Sequence, residues 1–140
     1  MAANSRFAVA AHILSLLHVN EGSRITSEYI AGSVNTNPVV VRRIMGMLAK
    51  AGLVRTSPGV AGASLARPIG EITLLDVYRA VQAEDGALFA IHEHPNPDCP
   101  VGRNIQSTLE ASFLRAQLAM ERELAGMTME EVVLDLVGRT

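Results

Sequence analysis

The run Asn-Thr-Asn-Pro at 35–38 favours a turn and separates two helix-forming segments. Of all features of the sequence, this run constrains the fold of the chain most. Asn37 can accept hydrogen bonds from free backbone N–H groups at a helix start, and Pro38 suits the first helical position. Residues 26–33 (TSEYIAGS) predict a short helix with Tyr29 and Ile30 facing inward. Residues 39–52 predict a longer helix, whose apolar face holds Val41, Ile44, Met45 and Leu48.

The segments on either side extend this pair of helices into a larger unit. Residues 5–18 (SRFAVAAHILSLLH) predict a first helix with Ser5 as its N-cap, and Gly52 supplies the left-handed residue that ends the third helix. Two extended runs, 53–57 and 63–67, flank a turn at 58–62 that is rich in Pro and Gly, which predicts a β-hairpin. Three helices followed by a hairpin are the order of a winged helix-turn-helix, a DNA-binding fold.

The second half of the chain predicts three more helices. Residues 72–82 form a helix capped by Thr73, and a last helix after Thr128 closes the chain. Between them, a long helix from Arg103 to Leu124 carries apolar side chains at spacings of three or four. Such a narrow stripe is typical of a helix that pairs with its own copy, and packing on the helix's own domain is the alternative. The predicted dimer interface consists of Ile105, Leu109, Phe113, Ala116 and Met120.

The predicted fold is therefore mainly α with a small β-hairpin, organised in three parts. A winged helix-turn-helix domain at 1–82 is followed by an irregular loop at 83–102, which contains three prolines and Cys99. Residues 103–140 form the dimerisation helix and the C-terminal helix.

Charge is distributed very unevenly along the chain. Residues 1–70 carry seven Lys or Arg against two acids, a net charge of +5, whereas residues 71–140 carry a net charge of −7. A basic half joined to an acidic half predicts that the first half contacts a polyanion. The chain has no Trp, two Tyr and three Phe, too few for an aromatic platform that stacks single-stranded bases. Neither an apolar membrane-spanning run nor a signal-peptide pattern is present, so we expect a cytoplasmic protein without membrane contacts.

Several runs of this sequence resemble one family of winged-helix transcription regulators. The runs SVNTNPVVVRR, HPNPDCPVG and AGLVRTSPGVAGASLARPIGEITLLDVYRAV resemble the Rrf2 family, which includes IscR, NsrR and CymR, and most closely its YwnA-like branch. The resemblance covers essentially the whole chain. It implies a homodimeric, sequence-specific DNA-binding regulator, expected to be a repressor, that acts on a pseudo-palindromic operator. In this family the recognition helices enter successive major grooves and the wings touch the minor groove.

The start of the third helix holds the candidates for base contacts in the major groove. Arg42 or Val39 is the better candidate, because Val41 and Ile44 belong to the core. Arg6, Thr26 and Ser27 lie at helix N-termini and are the candidates for phosphate contacts. Simple capping by Thr26 or Ser27 is the alternative, and the two roles are not exclusive. The predicted DNA-binding residues are Arg6, Thr26, Ser27, Asn37, Val39, Val40, Arg42, Arg43, Arg55 and Ser57.

The hairpin departs from the family pattern. The family commonly has an Arg-Gly pair leading a glycine-rich tip, whereas this chain has Ser57 and Pro58 there. Arg55 lies two residues earlier, so whether the wing reads the minor groove is left open.

Cys99 is the only cysteine of this chain. Members of the family that bind an iron–sulfur cluster resemble one another in having three cysteines in the same loop. An iron–sulfur cluster takes about four ligands, mostly thiolates. His92, Glu93, His94 and Asp98 do not make up that set, so we expect no cluster, no metal site and no cofactor.

Two kinds of effector remain open for the loop. Cys99 precedes a helix N-terminus and Arg103, which both lower a thiol pKa, while Asp98 opposes that shift. A redox effector acting on Cys99 is one hypothesis. The other is a small-molecule effector in a mostly apolar pocket formed by Tyr78, Phe89, His92 and Phe113.

No segment resembles a nucleophile paired with a base, a phosphate-binding loop or a catalytic carboxylate pair, so the sequence does not predict an enzyme. The alternative to a DNA-binding regulator is a dimeric module that binds a ligand or protein through a winged-helix fold without specific DNA binding. Salt-dependent binding to duplex DNA distinguishes the two.

Overall fold

The computed structural model describes residues 5–82 and 87–139. The first four residues of the predicted winged-helix domain, residues 83–86 of the predicted loop, and Thr140 lie outside the described residues. The elements are α1 (Ser5–Val19), α2 (Ser27–Val34), α3 (Pro38–Lys50), β1 (Val54–Ser57), β2 (Val60–Leu65), a short 3-10 turn (Ile69–Glu71), α4 (Leu74–Val81), α5 (Pro100–Ala125) and α6 (Met129–Gly138). The mainly helical fold with one two-stranded hairpin confirms the predicted fold class.

Side-chain caps fix both ends of the turn between α2 and α3. Asn35 ends α2 in the left-handed conformation, with φ of 65°. Asn37 Oδ1 then accepts a 3.1 Å hydrogen bond from the Val40 N–H, and Pro38 is the first residue of α3. At the other end of α2, Thr26 Oγ1 accepts from the Tyr29 N–H. The predicted roles of Asn37 and Pro38 are confirmed.

The core lies between α1, α2, α3 and α4. The face predicted for the third helix is confirmed, since all four of its apolar side chains are buried. The prediction for Tyr29 is wrong, because this side chain is 54% exposed while Ile30 is fully buried. Ile30 and Ala31 fill the core side of the eight-residue helix α2. Helical periodicity therefore places Tyr29 with Gly32 and Ser33 on its outer side.

The hairpin is tighter than predicted. β1 and β2 pair antiparallel with Val54 opposite Leu65 and Ser57 opposite Val60. The turn therefore consists of Pro58 and Gly59 rather than residues 58–62, because Gly59 takes a φ of 73° and the chain reverses within two residues.

A second left-handed glycine brings β2 against the segment before α2. Gly62 has a φ of 87°, and a Cβ placed on it would lie 2.9 Å from backbone atoms of Arg24 and Ile25. The Ala63 N–H donates to the Ile25 carbonyl at 3.2 Å. The wing is thus joined to the helix-turn-helix through its backbone.

Two predicted helix starts are wrong, and two predicted caps are confirmed. Ser5 lies inside α1 as its first described residue rather than before it as an N-cap. α5 begins at Pro100, three residues before Arg103, because proline suits the first helical position and Cys99 takes the capping position. The caps predicted at Thr73 and Thr128 are confirmed.

The C-terminal helix α6 returns to the core of the first half. Met129 and Val133 are buried there, and the Met129 N–H donates to the Ile72 carbonyl at 2.8 Å. The Leu74 N–H donates to the Met127 carbonyl at 2.8 Å. α5 is therefore the helix that leaves the core, and none of its residues is fully buried.

Replacing Gly62 with alanine tests the contact between the wing and the helix-turn-helix. Gly62→Ala should lower the free energy of unfolding by about 1–3 kcal/mol, because the side chain meets both a left-handed backbone and the neighbouring chain. Gly32→Ala is the matched control, since this helical glycine has open space around it, and it should raise stability by about 0.5–1 kcal/mol. Urea unfolding at one protein concentration measures both changes. A Gly62→Ala protein as stable as the parent would contradict this assignment.

Candidate nucleic-acid interface

Five of the predicted DNA-binding side chains lie at the start of α3, and three of them are on its exposed side. Val39, Arg42 and Arg43 point to solvent. Val40 is half-buried and packs against the core, and the Asn37 side chain already accepts a hydrogen bond within the helix cap. The helical period explains this division, because the buried positions Val41 and Ile44 leave Arg42 and Arg43 on the opposite side.

The two arginines of this surface differ in their partners. Arg42 Nη1 lies 3.5 Å from Glu28 Oε1, which belongs to the first turn of α2. No ion pair joins Arg43 to any residue that the structure describes, so its guanidinium is available to a ligand. The sequence reasoning missed Glu28. The signal that could have found it is that only two acids, Glu21 and Glu28, occur in the basic half.

The N-terminus of α2 lies beside this arginine surface. Thr26 caps the helix, Ser27 is its half-buried first residue, and Tyr29 exposes its ring. The backbone N–H groups of a first helical turn attract anions. Arg6 is placed elsewhere, half-buried in the first turn of α1, where its neighbour Phe7 packs on Tyr78 of α4 with ring centroids 5.7 Å apart.

The wing exposes Arg55 and Ser57 on β1, next to the Pro58–Gly59 turn. Arg24, which the sequence reasoning missed, supports the opposite strand. Its Nη2 donates to the Gly62 carbonyl at 2.9 Å and its Nε to the Ala61 carbonyl at 3.3 Å. No local pattern indicates this contact, because the residues are more than thirty positions apart along the chain.

Cys99 occupies the capping position of α5 and is exposed. The backbone N–H groups of Gly102 and then Val101 lower the pKa of its thiol from the ordinary value. The pKa of the thiol is therefore shifted in the predicted direction. The shift is caused by the first turn of the helix rather than by the Arg103 side chain.

The structure brings together two of the four residues predicted to form a ligand pocket. Phe89 and Phe113 pack with ring centroids 5.1 Å apart, at the side of a groove of about 450 Å³. Tyr78 packs on Phe7 instead, and the exposed His92 uses its carbonyl to accept from Gln106 Nε2. The groove is lined in addition by Ala87, Ala90, Ile91, Glu93, Glu110, Leu114 and Gln117.

The predicted dimer stripe lies on the side of α5 that faces its own chain. Ile105, Leu109, Phe113 and Met120 are half-buried, and Ala116 is exposed. Polar contacts attach this side of α5 to the rest of the chain. Glu121 Oε1 lies 3.1 Å from Arg79 Nη2 of α4, and Gln117 Oε1 accepts a hydrogen bond from the Leu88 N–H. Leu114 and Leu118, which the sequence reasoning left out, are 56% and 44% exposed one turn apart.

Comparison with known proteins identifies the family. The model of Rrf2, described as an iron-dependent transcriptional regulator, matches residues 3–135. The chain belongs to the Rrf2 family. It is 53% identical over 130 residues to YwnA of Bacillus subtilis (strain 168), an HTH-type transcriptional regulator by name, covering 93% of this chain and 96% of that one. The predicted family and branch are confirmed, and the family consists of transcriptional regulators rather than enzymes.

Solved structures agree with this assignment. A crystal structure described as that of a DNA-binding protein has 48% sequence identity and a TM-score of 0.74, covering 91% of this chain and 97% of that one. Staphylococcus aureus CymR, at 22% identity and a TM-score of 0.65 over 92% of this chain and 95% of its own, shares the fold.

The iron named in the family description does not fit the residues of this chain. In residues 5–82 and 87–139, no group of three or more His, Cys, Asp or Glu side chains could hold a metal ion. A cluster takes about four ligands, mostly thiolates, and Cys99 is the only cysteine. No helix within the same described residues is long and apolar enough to cross a membrane.

The position of Cys99 predicts an unusual pH dependence of alkylation. Because the helix start lowers the pKa of the thiol, the reactive thiolate persists to lower pH in the folded protein than in the unfolded chain. Iodoacetamide labelling followed by mass spectrometry should therefore show the rate falling at lower pH for the native protein than for the protein in urea. Superimposable rate profiles would contradict the assigned cause.

Proposed function

We propose that the protein is a homodimeric, sequence-specific DNA-binding transcription regulator that acts in the cytoplasm as a repressor on a pseudo-palindromic operator. The observation that carries this proposal is the exposed side of α3, where Val39, Arg42 and Arg43 project from a helix anchored in the core. The net charge of +5 on residues 1–70 supports a polyanionic partner. The DNA-binding relative of 48% identity supports duplex DNA as that partner.

The start of α3 enters the major groove. There, Arg42 or Arg43 forks onto guanine O6 and N7, and the methyl groups of Val39 pack on a thymine methyl. Each bidentate contact discriminates against the wrong base by about 1–3 kcal/mol. Thr26, Ser27 and the first turn of α2 hold a phosphate, which fixes the register of α3 on the duplex.

The wing approaches the same duplex from the side of β1. Arg55 and Ser57 are exposed there, while Arg24 supports β2 from behind through its two carbonyl contacts. Arg55 supplies the positive charge that the family's Arg-Gly pair supplies at the tip. Arg6 contributes a more distant phosphate contact from the start of α1.

The homodimer forms through α5. This helix has 26 residues, none of them fully buried, and is about 39 Å long. The predicted stripe and the exposed Leu114 and Leu118 lie on opposite sides of α5, so the second copy covers Leu114 and Leu118 directly and covers the half-buried stripe only where its own chain leaves it open. Two half-sites one helical turn apart lie about 34 Å from each other, so a two-fold dimer matches a pseudo-palindrome.

Signal input acts at the joint between the loop and α5. Either Cys99 is oxidised, or a small molecule enters the groove beside Phe89 and Phe113. Both events act on the contacts between the loop and α5 and hence change the separation of the two α3 helices in the dimer. Comparing the DNA affinity of Cys99→Ser with that of the parent across oxidant treatment separates the two inputs.

The arginines of α3 should contribute to specificity rather than to general affinity. Arg42→Ala and Arg43→Ala should each weaken binding to a selected operator about tenfold or more, and weaken binding to random duplex less. Arg139→Ala is the matched control, because Arg139 is exposed directly after α6 and paired with Asp135. The operator comes from selecting bound duplexes in a random pool, and affinities are measured over a range of salt concentrations.

If a variant loses the same affinity for the operator and for random duplex, the replaced arginine contacts a phosphate rather than a base. If the parent shows no salt-dependent preference for any duplex, the alternative of a ligand- or protein-binding module replaces the proposed function.

A charge placed in the α5 interface should dissociate the dimer. Leu109→Glu and Leu118→Glu should each shift the sedimentation coefficient from dimer to monomer at micromolar concentration, because an unpaired buried charge is costly. Val19→Glu, the same type of change at an exposed apolar position on α1, should leave the dimer intact. A parent chain that sediments as a monomer would overturn the dimer.

A further inference from the structure

An acidic side chain lies within the surface proposed to bind DNA. Glu28 is 69% exposed on the first turn of α2, and its Oε1 faces Arg42 Nη1 at 3.5 Å across the gap to α3. The other acid of residues 1–70, Glu21, follows α1, where it lies 3.9 Å from the imidazole of His18. Glu28 is thus the acid of this half that contacts an arginine of α3.

Stability alone does not account for this contact. An ion pair this exposed contributes about 0–1 kcal/mol to folding. A carboxylate in a first helical turn interacts favourably with the helix dipole, but that interaction does not require Arg42. Once DNA binds, the same carboxylate lies near phosphates, where an unpartnered negative charge weakens association.

The guanidinium of Arg42 has room for two acceptors at once. It presents five N–H donors in a planar fork, and Glu28 engages only Nη1. The Nε and Nη2 groups remain for a guanine, which offers O6 and N7 as a pair of acceptors. An arginine already held by a carboxylate loses less side-chain entropy when it binds such a pair.

We propose that Glu28 is a positioning residue that holds Arg42 for one guanine in each half-site and lowers the affinity for DNA without that guanine. This inference rests on the proposed function. Where guanine is absent, Arg42 can reach a phosphate only by leaving Glu28 unpaired beside the DNA backbone. Specificity then arises from a penalty on wrong sites as well as from a contact to the right one.

The test uses Glu28→Gln, which keeps the shape and removes the charge. Preference for guanine at one position of each half-site should fall about threefold to fivefold, the ratio that corresponds to an exposed ion pair. Affinity for random duplex should rise by a similar factor. Glu28→Asp keeps the charge but shortens the reach, so it should lose guanine preference without gaining affinity for random duplex.

Two control variants replace glutamate with glutamine at positions outside the proposed contact with Arg42. Glu21→Gln removes the other acid of the basic half, and Glu131→Gln removes an acid from the first turn of α6. Neither should alter base preference. Circular dichroism of every variant verifies that the total helix content is unchanged.

The Arg42→Ala background decides whether Glu28 acts through Arg42. There, Glu28→Gln should still raise affinity for random duplex but should no longer change base preference. An unchanged base preference for Glu28→Gln in the parent background would overturn the inference, as would an equal loss of affinity on all duplexes. A parent protein that does not distinguish selected from random duplexes overturns the proposed function itself, so the two failures are distinguishable.

Discussion

The hydrogen bonds of the turn between α2 and α3 are the interaction on which the candidate site depends. The carbonyl of Ala31 accepts from the N–H groups of Asn35 and Thr36 at 2.9 and 3.0 Å, and Asn37 caps the next helix. These bonds satisfy a carbonyl group near the end of α2 and an N–H group at the start of α3 within three residues. The turn also brings the start of α2 beside α3, so that Glu28 reaches Arg42.

Local chemistry could be predicted from the sequence, and contacts between distant residues could not. Caps at Thr73 and Asn37, and the buried face of α3, follow from side chains within four positions of one another. Arg24 contacts the wing at residues 37 and 38 positions further along the chain, and a helical or strand periodicity cannot predict a contact over that separation. Tyr29 was predicted inward because an eight-residue helix gives too few turns to distinguish its two sides.

The long helix shows a second limit of sequence patterns. Spacings of three or four define an apolar stripe on α5, but they do not say what covers it. In the structure the stripe is partly covered by the helix's own chain, since Phe89 packs on Phe113 and Arg79 pairs with Glu121. The hydrogen bond from Gln117, followed by that from Arg79, also lowers the pKa of Glu121, which keeps this carboxylate charged at the contact.

These contacts leave α5 more weakly attached than any helix of the core. α6 is anchored by buried Met129 and by a backbone hydrogen bond to Ile72, whereas α5 buries none of its residues. Its ion pair to Arg79 is exposed on the arginine side and therefore contributes little. Moving α5 relative to the winged-helix core thus costs far less than moving α3 within it. In the proposed dimer, an effector that acts on the loop before α5 would therefore change where the two copies of α3 lie relative to each other without altering either one.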